Sequence, residues 1–173
     1  MAAHSLRPAS LEGHMALYKS VLHHNANKTP KWVLEMVGVY VSLLNNCAYC
    51  VDHHFEGLKR LLADDEKTDE IKSALVAAIE TGGVKTPALT TKETAALDYA
   101  AIVTKTPEGI TEDNISALRD TGWDDGEILE INQVTAYFAY ANRTVLGLGV
   151  TTNGDTLGLS PNNSEEEADW GHR

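Results

Sequence analysis

The stretch that decides the fold runs Trp32-Val33-Leu34-Glu35-Met36-Val37-Gly38-Val39-Tyr40-Val41-Ser42-Leu43-Leu44-Asn45-Asn46-Cys47-Ala48-Tyr49-Cys50-Val51-Asp52-His53-His54. Its first half is apolar on nearly every side, which is the signature of a buried helix. Its β-branched residues would suit a strand locally, but the uninterrupted length favours helix. Asn45-Asn46 breaks the run. Beyond the break, Cys47, Cys50, Val51, His54, Phe55, Leu58, Leu61 and Leu62 form one stripe at helical spacing, with Asp52, His53, Glu56, Lys59 and Arg60 largely opposite. Two helices in antiparallel array about Asn45-Asn46 are therefore predicted.

Outward from this hairpin, helical period continues. Leu11, Met15, Tyr18 and Leu22 predict a first amphipathic helix, and Thr29-Pro30 reads as an N-cap followed by proline at the first helical position of the second. Thr68 with Asp69 and Glu70 opens a fourth helix, which Gly82-Gly83 stops. Thr90-Thr91-Lys92-Glu93 is a capping box before an alanine-rich fifth helix. Thr111 caps a short sixth, Gly122 closes it, and Asp124 with Glu127 opens a long seventh. No βαβ pattern and no internal repeat is present, so the expectation is an all-α domain over residues 1–150. From Thr151 the chain turns to Gly, Asn, Ser and acidic residues, and residues 151–173 are expected as an irregular tail or one ordered by a partner subunit.

Composition sets outer limits. A chain of 173 residues with 43% hydrophobic content can bury one core. A formal net charge of -11, with only 14 lysines and arginines, disfavours nucleic acid. The helix-turn-helix outline around Gly122-Trp123 fails for the same reason, since its second helix begins Asp124-Asp125-Gly126-Glu127. No apolar run reaches the roughly 20 residues a membrane span needs, and Met1–Glu12 lacks the shape of a signal peptide. The expected compartment is cytoplasmic and reducing, where two cysteines spaced CxxC read as redox or metal chemistry rather than a structural staple.

Cys47 and Cys50 are the only cysteines. At i and i+3 on a helical turn their Cα atoms fall within disulfide reach. His54 stands four residues past Cys50, on the same face. Glu35 lies inside the most apolar helix, where a carboxylate needs a partner. In the predicted hairpin Glu35 sits ~16 Å and His54 ~12 Å from the turn, level to within about one helical turn. Carboxylate, imidazole and thiol then align as orienter, base and nucleophile. A thiolate attacking a peroxide gives a sulfenic acid, which a neighbouring thiol condenses to a disulfide. Two inert core thiols remain the bland reading. So does a zinc site, for which Cys47, Cys50 and His54 supply three ligands of four, with His23 and His24 as outsiders. A c-type haem is disfavoured because Val51 follows Cys50. A plain structural hydrogen bond is the alternative for Glu35, and packing or substrate contact are equal options for Tyr49. Tyr137, Tyr140, Asn142 and Arg143 read more readily as packing and subunit contact than as substrate groups.

Glu35 followed by Cys47-x-x-Cys50-x-x-x-His54, with Leu44-Asn45-Asn46 before it and Gly122-Trp123, Asn132-Gln133, Asn142-Arg143 and Gly147-Leu148-Gly149 later, resembles the alkylhydroperoxidase D-like (AhpD-like) family in the carboxymuconolactone decarboxylase-like superfamily, in particular its peroxidase-related branch. The resemblance implies an AhpD-like helical fold whose central hairpin carries the CxxC motif, assembled as homotrimers or homohexamers. It implies a thiol-dependent peroxidase without cofactor or metal, acting on a hydroperoxide and reduced by an external dithiol or protein reductant. Cys50 would be the peroxidatic thiol, Cys47 the resolving one, and Glu35 with His54 the proton relay. Tyr49 stands where the best-known members carry a second histidine, which implies a simpler relay and weaker turnover. Lactone decarboxylation, and a non-enzymatic redox-sensing or metal-binding oligomer, are the alternatives.

Overall fold

The computed structural model describes residues 4 and 6–158. Seven α-helices and no strand occur among the described residues: α1 Pro8–Tyr18, α2 Lys31–Leu44, α3 Ala48–Leu62, α4 Asp65–Thr81, α5 Thr91–Lys105, α6 Glu112–Asp120 and α7 Asp125–Gly147. The all-α expectation holds.

α2 is the axis of the molecule. It packs against α3, α4, α5 and α7, and its residues from Val33 to Ser42 are all buried. A helix so enclosed has no solvent face to display, which is why its sequence is apolar all round. α3 returns antiparallel to it through Asn45 and Asn46. Asn46 adopts φ 56°, a left-handed conformation that asparagine tolerates better than most side chains. The turn is closed by the Cys47 amide donating to the Ser42 carbonyl at 2.9 Å, so Cys47 becomes the N-cap of α3 and its sulfur is held at the helix entrance.

The caps explain most boundaries. Thr90 and Glu93 form a reciprocal capping box on α5, as Asp124 and Glu127 do on α7. α4 begins three residues earlier than the sequence reading placed it, because Asp64 accepts from the Lys67 amide and Asp65 and Glu66 supply a negative first turn. The start of α2 also differs. Pro30, with ψ 133°, is the N-cap, and the Thr29 amide donates instead to Glu130 on α7 at 2.8 Å. After α1 the chain does not continue as regular helix. Lys19–His23 forms a π-helical turn, which presents Tyr18, Val21 and Leu22 to the interior and ends at His23.

α7 runs along α2 and α5 and closes the core with Ile131, Val134, Phe138 and Ala141. Its outset is pinned to α5, where Trp123 donates from Nε1 to the Lys92 carbonyl at 2.8 Å and the Lys92 ammonium lies 3.9 Å from the indole centroid. Residues 151–158 form turns without regular helix. They turn back over α3, with Gly158 seated so closely on Glu56 and Arg60 that a Cβ there would fall 2.6 Å from the Glu56 Cβ. The remainder of the expected tail, including the acidic run Glu165–Glu167, lies outside the described residues. No helix among the described residues is long and apolar enough to cross a membrane.

Candidate functional site

The antiparallel hairpin brings Glu35 and His54 level. The Glu35 carboxylate, 2% exposed, accepts from the His54 Nδ1–H at 2.7 Å. With Nδ1 thus engaged, Nε2 is the ring atom left to exchange a proton. Two glycines make this pair possible. Gly57, three residues past His54, leaves room for the carboxylate, whose Cδ and both oxygens lie 3.4 Å from where a Cβ would stand. Gly38 admits the ring of Phe138, which meets His54 edge-on with centroids 4.6 Å apart and planes at 85°.

The sulfurs lie on the first turn of α3. Cys47 is fully buried and Cys50 is 4% exposed. Both are free thiols, their sulfurs 3.0 Å apart and joined by an S–H···S hydrogen bond. That contact pulls the Cys47 thiol down to about 7, against burial, with help from the Cys50 backbone N–H, the His54 charge and the Asn142 side chain. Cys50 is pushed up by the same hydrogen bond, by burial and by the charge on Cys47. The two thiols thus titrate as a pair at a helix N-terminus, where anions are favoured, with the first proton the easier to lose.

A ring of residues that the sequence reading left outside the catalytic set surrounds this centre. Tyr18, from the end of α1, lies 6.2 Å from the His54 ring and 4.8 Å from the His23 ring. Burial lowers the His23 pKa to about 4, although the Glu35 charge pulls the other way, so His23 is neutral at physiological pH. Tyr137 stacks at a tilt on Tyr18, and its hydroxyl lies 3.4 Å from His14 Nε2. Asn142, read from the sequence as packing, is fully buried at the α2–α3 turn and sides with the charged form of both cysteines. A polar residue on the buried face of an apolar helix was the only sequence signal for it.

Tyr49 does not enter the Glu35–His54 pair. It lies on the far side of the first turn, its ring 4.5 Å from that of His53, and burial followed by the Asp155 carboxylate raises its pKa. Asp155, from the returning C-terminal segment, is 3.5 Å from His53 Nε2. His53 thus faces this small acidic-aromatic cluster rather than open solvent, and burial lowers its pKa. Among the described residues no three His, Cys, Asp or Glu side chains converge in a way that could hold a metal ion. His23 and His24 do not complete a ligand set around the sulfurs.

Comparison with known proteins gives this geometry a context. The family model for carboxymuconolactone decarboxylases matches residues 8–101, a span that includes Glu35, both cysteines and His54. No curated protein matches the chain. Among solved structures, an uncharacterized peroxidase-related protein from Silicibacter sp. TM1040 is 26% identical with a TM-score of 0.75, covering 86% of this chain and 73% of that one. An uncharacterized peroxidase-related protein with an alkylhydroperoxidase AhpD core, from Ralstonia eutropha JMP134, is also 26% identical, with a TM-score of 0.72 over 86% of this chain and 73% of that one. A protein of unknown function from Agrobacterium tumefaciens shares the fold at 22% identity, with a TM-score of 0.71 over 87% of this chain and 95% of that one. The chain belongs to the carboxymuconolactone decarboxylase family, and within that superfamily it is AhpD-like.

Proposed function

We propose that this protein is a thiol-dependent peroxidase that cycles Cys47 and Cys50 between dithiol and disulfide, with Glu35 and His54 managing protons. The observation that carries the reading is the convergence on one hairpin of two sulfurs 3.0 Å apart and a buried carboxylate–imidazole pair 2.7 Å apart. Cys50 is the attacking sulfur, because it alone of the two retains an open side. Its proton passes to the Cys47 thiolate along the existing S–H···S contact. The Cys50 thiolate then attacks the outer oxygen of a hydroperoxide, giving Cys50–SOH and an alkoxide. The alkoxide takes a proton from the Glu35–His54 pair and leaves as the alcohol. Cys47–SH condenses with the sulfenic acid to form the disulfide and one water. An external dithiol reduces the bridge and is itself oxidised to a disulfide; of the two protons lost from its thiols, one returns to the Cys47–Cys50 pair and the other restores the Glu35–His54 pair.

A reducing, cytoplasmic setting suits such a cycle, and Tyr49 leaves the relay with a single histidine. Assembly into homotrimers or homohexamers belongs to the same reading. It is supported by apolar side chains exposed on and just after α7, among them Leu129, Leu146 and Leu148. The test is mass spectrometry of wild type, Cys47→Ser and Cys50→Ser after one equivalent of peroxide. Wild type should form a 47–50 bridge that a dithiol reverses, Cys47→Ser should accumulate a trappable sulfenic acid, and Cys50→Ser should do neither. Full peroxide turnover by Cys50→Ser would overturn the reading. Lactone turnover by the double serine variant would instead point to acid–base chemistry at Glu35 and His54.

A further inference from the structure

Tyr49, His53, Glu56 and Arg60 follow one another at helical spacing and make a single face of α3. His53 is displaced from Cys50 by about 60° around the helix, so this face borders the cysteine. Residues 151–158 touch it at two points. The Asp155 carboxylate lies 3.5 Å from His53 Nε2, and the His53 ring packs 4.5 Å from that of Tyr49. Farther along α3, Gly158 rests on Glu56 and Arg60. At φ 71°, with a Cβ there falling 2.6 Å from the Glu56 Cβ and 2.7 Å from Arg60 Nη1, that seat admits only glycine. The Asp155 amide donates to the Thr152 carbonyl at 3.0 Å and closes a turn within the segment. Among the described residues no backbone hydrogen bond ties it to α3. A segment docked by side-chain contacts alone opens at low free-energy cost.

We propose that residues 151–158 are a strap that gates the dithiol: seated, it closes the Tyr49–His53 flank of Cys50 to all but small molecules, and lifted, it admits a bulky thiol partner. Cys47 is fully buried, so an attacking thiol has to come to Cys50, which keeps a small exposed edge. On the other side of Cys50 stands His54, hemmed in by Glu35 and by the ring of Phe138. The Tyr49–His53 flank is the one that a moving segment can open. Thiol–disulfide exchange depends on access to the sulfur attacked, and a protein thiol brings its surrounding surface with it. A small hydroperoxide carries no such bulk. The strap therefore lets oxidation proceed while it holds back a macromolecular reductant until it is displaced. Control of access stands on these contacts alone, whereas the claim that the reductant of a 47–50 bridge is what the strap controls rests on the peroxidase reading.

The experiment uses the reduced full-length protein without peroxide. Thiol modification by iodoacetamide and by a maleimide carried on polyethylene glycol is timed for wild type, Asp155→Ala and Gly158→Val. Thermolysin cleavage ahead of Leu157, mapped by mass spectrometry, reports in parallel whether the strap has lifted. Both variants should be cut faster than wild type. The polymer reagent should react about tenfold faster with Gly158→Val, and by a smaller factor with Asp155→Ala, while iodoacetamide stays within about twofold of wild type. Faster cleavage with an unchanged polymer rate would mean a strap that lifts without gating. Equal acceleration of both reagents would mean altered thiol reactivity in place of altered access. Unchanged cleavage would mean that neither Asp155 nor Gly158 holds the segment. Each of these three results overturns the proposal and leaves the peroxidase reading standing. The expected rates in a protein whose dithiol never reacts with peroxide would uphold the gate and remove its link to a reductant along with the peroxidase reading.

Discussion

Replacing Gly38 by alanine is the most exacting check on how the relay is held. A Cβ at that position would stand 2.2 Å, 2.4 Å and 2.9 Å from Cε2, Cζ and Cδ2 of Phe138. Carbon atoms do not share less than about 3.4 Å without repulsion, so the ring must retreat by about 1.2 Å. It has nowhere free to go. Phe138 is fully buried, and its ring meets the His54 imidazole edge-on at 4.6 Å. Overpacking of this kind costs about 1–3 kcal/mol, while alanine for glycine inside a helix returns about 1 kcal/mol. The net expectation is a loss of up to about 2 kcal/mol, read as a lower urea midpoint at unchanged m-value. Because the displaced ring pushes His54 away from Glu35, peroxidase kcat/KM should fall by about tenfold or more, since angstrom-scale misplacement at a reacting centre has effects of that order. Phe138→Leu in the Gly38→Ala background should recover part of the stability, and the double-mutant cycle should show coupling above about 1 kcal/mol. Were Gly38→Ala more stable than wild type by its helix propensity alone, with activity intact, the seating of Phe138 against His54 would be wrong.

Other outcomes follow from the same contacts. Gly57→Val should drive a side chain into the Glu35 carboxylate, removing peroxide turnover while leaving alkylation of the dithiol nearly unchanged. His23 titrates at about 4 in the fold and at 6.5 in the unfolded chain, so its neutral form favours the folded state above pH 6.5 and that contribution is lost as the pH falls through about 4. His23→Gln should therefore lose less stability than wild type between pH 7 and pH 4, measured by urea denaturation at each pH. Ala63 ends α3 in a left-handed conformation at φ 49°, and Ala63→Gly should raise stability by about 1 kcal/mol in the same assay. Alkylation of the reduced wild type should be half-maximal near pH 7 and fall below it, because the thiolate of the coupled Cys47–Cys50 pair is the reacting form and takes up a proton there.

The hairpin and its Glu35–His54 contact were legible because they are local. Nineteen residues separate Glu35 from His54, both on helices whose period is fixed, so counting residues from Asn45-Asn46 brings the two groups level. Capping boxes at Thr90 and Asp124 were equally plain. What sequence could not yield is what crosses between distant segments. Asn142 reaches Ser42 across 100 residues and Tyr137 reaches His14 across 123, and no spacing rule announces either. The π-helical turn at Lys19–His23 is invisible for a different reason. Its residues have ordinary helical propensities, and only packing against α2 and α7 selects the wider turn. The proline at position 30 was read one place too far into its helix: Glu130 on α7 takes the amides of Lys28 and Thr29, and Pro30 itself keeps an extended ψ of 133°.

The two sulfurs sit within a single turn of α3, and that brevity has a thermodynamic meaning. Linking residues 47 and 50 closes a ring of only four residues, which in the chain-entropy picture restricts the unfolded chain by about 2 kcal/mol, near the bottom of the scale for cross-links. Oxidation and reduction therefore tug only weakly on global folding. In the proposed cycle the molecule passes through both states with little change in the constraint on its scaffold, so most of the free energy of electron transfer stays with the sulfurs and the reductant.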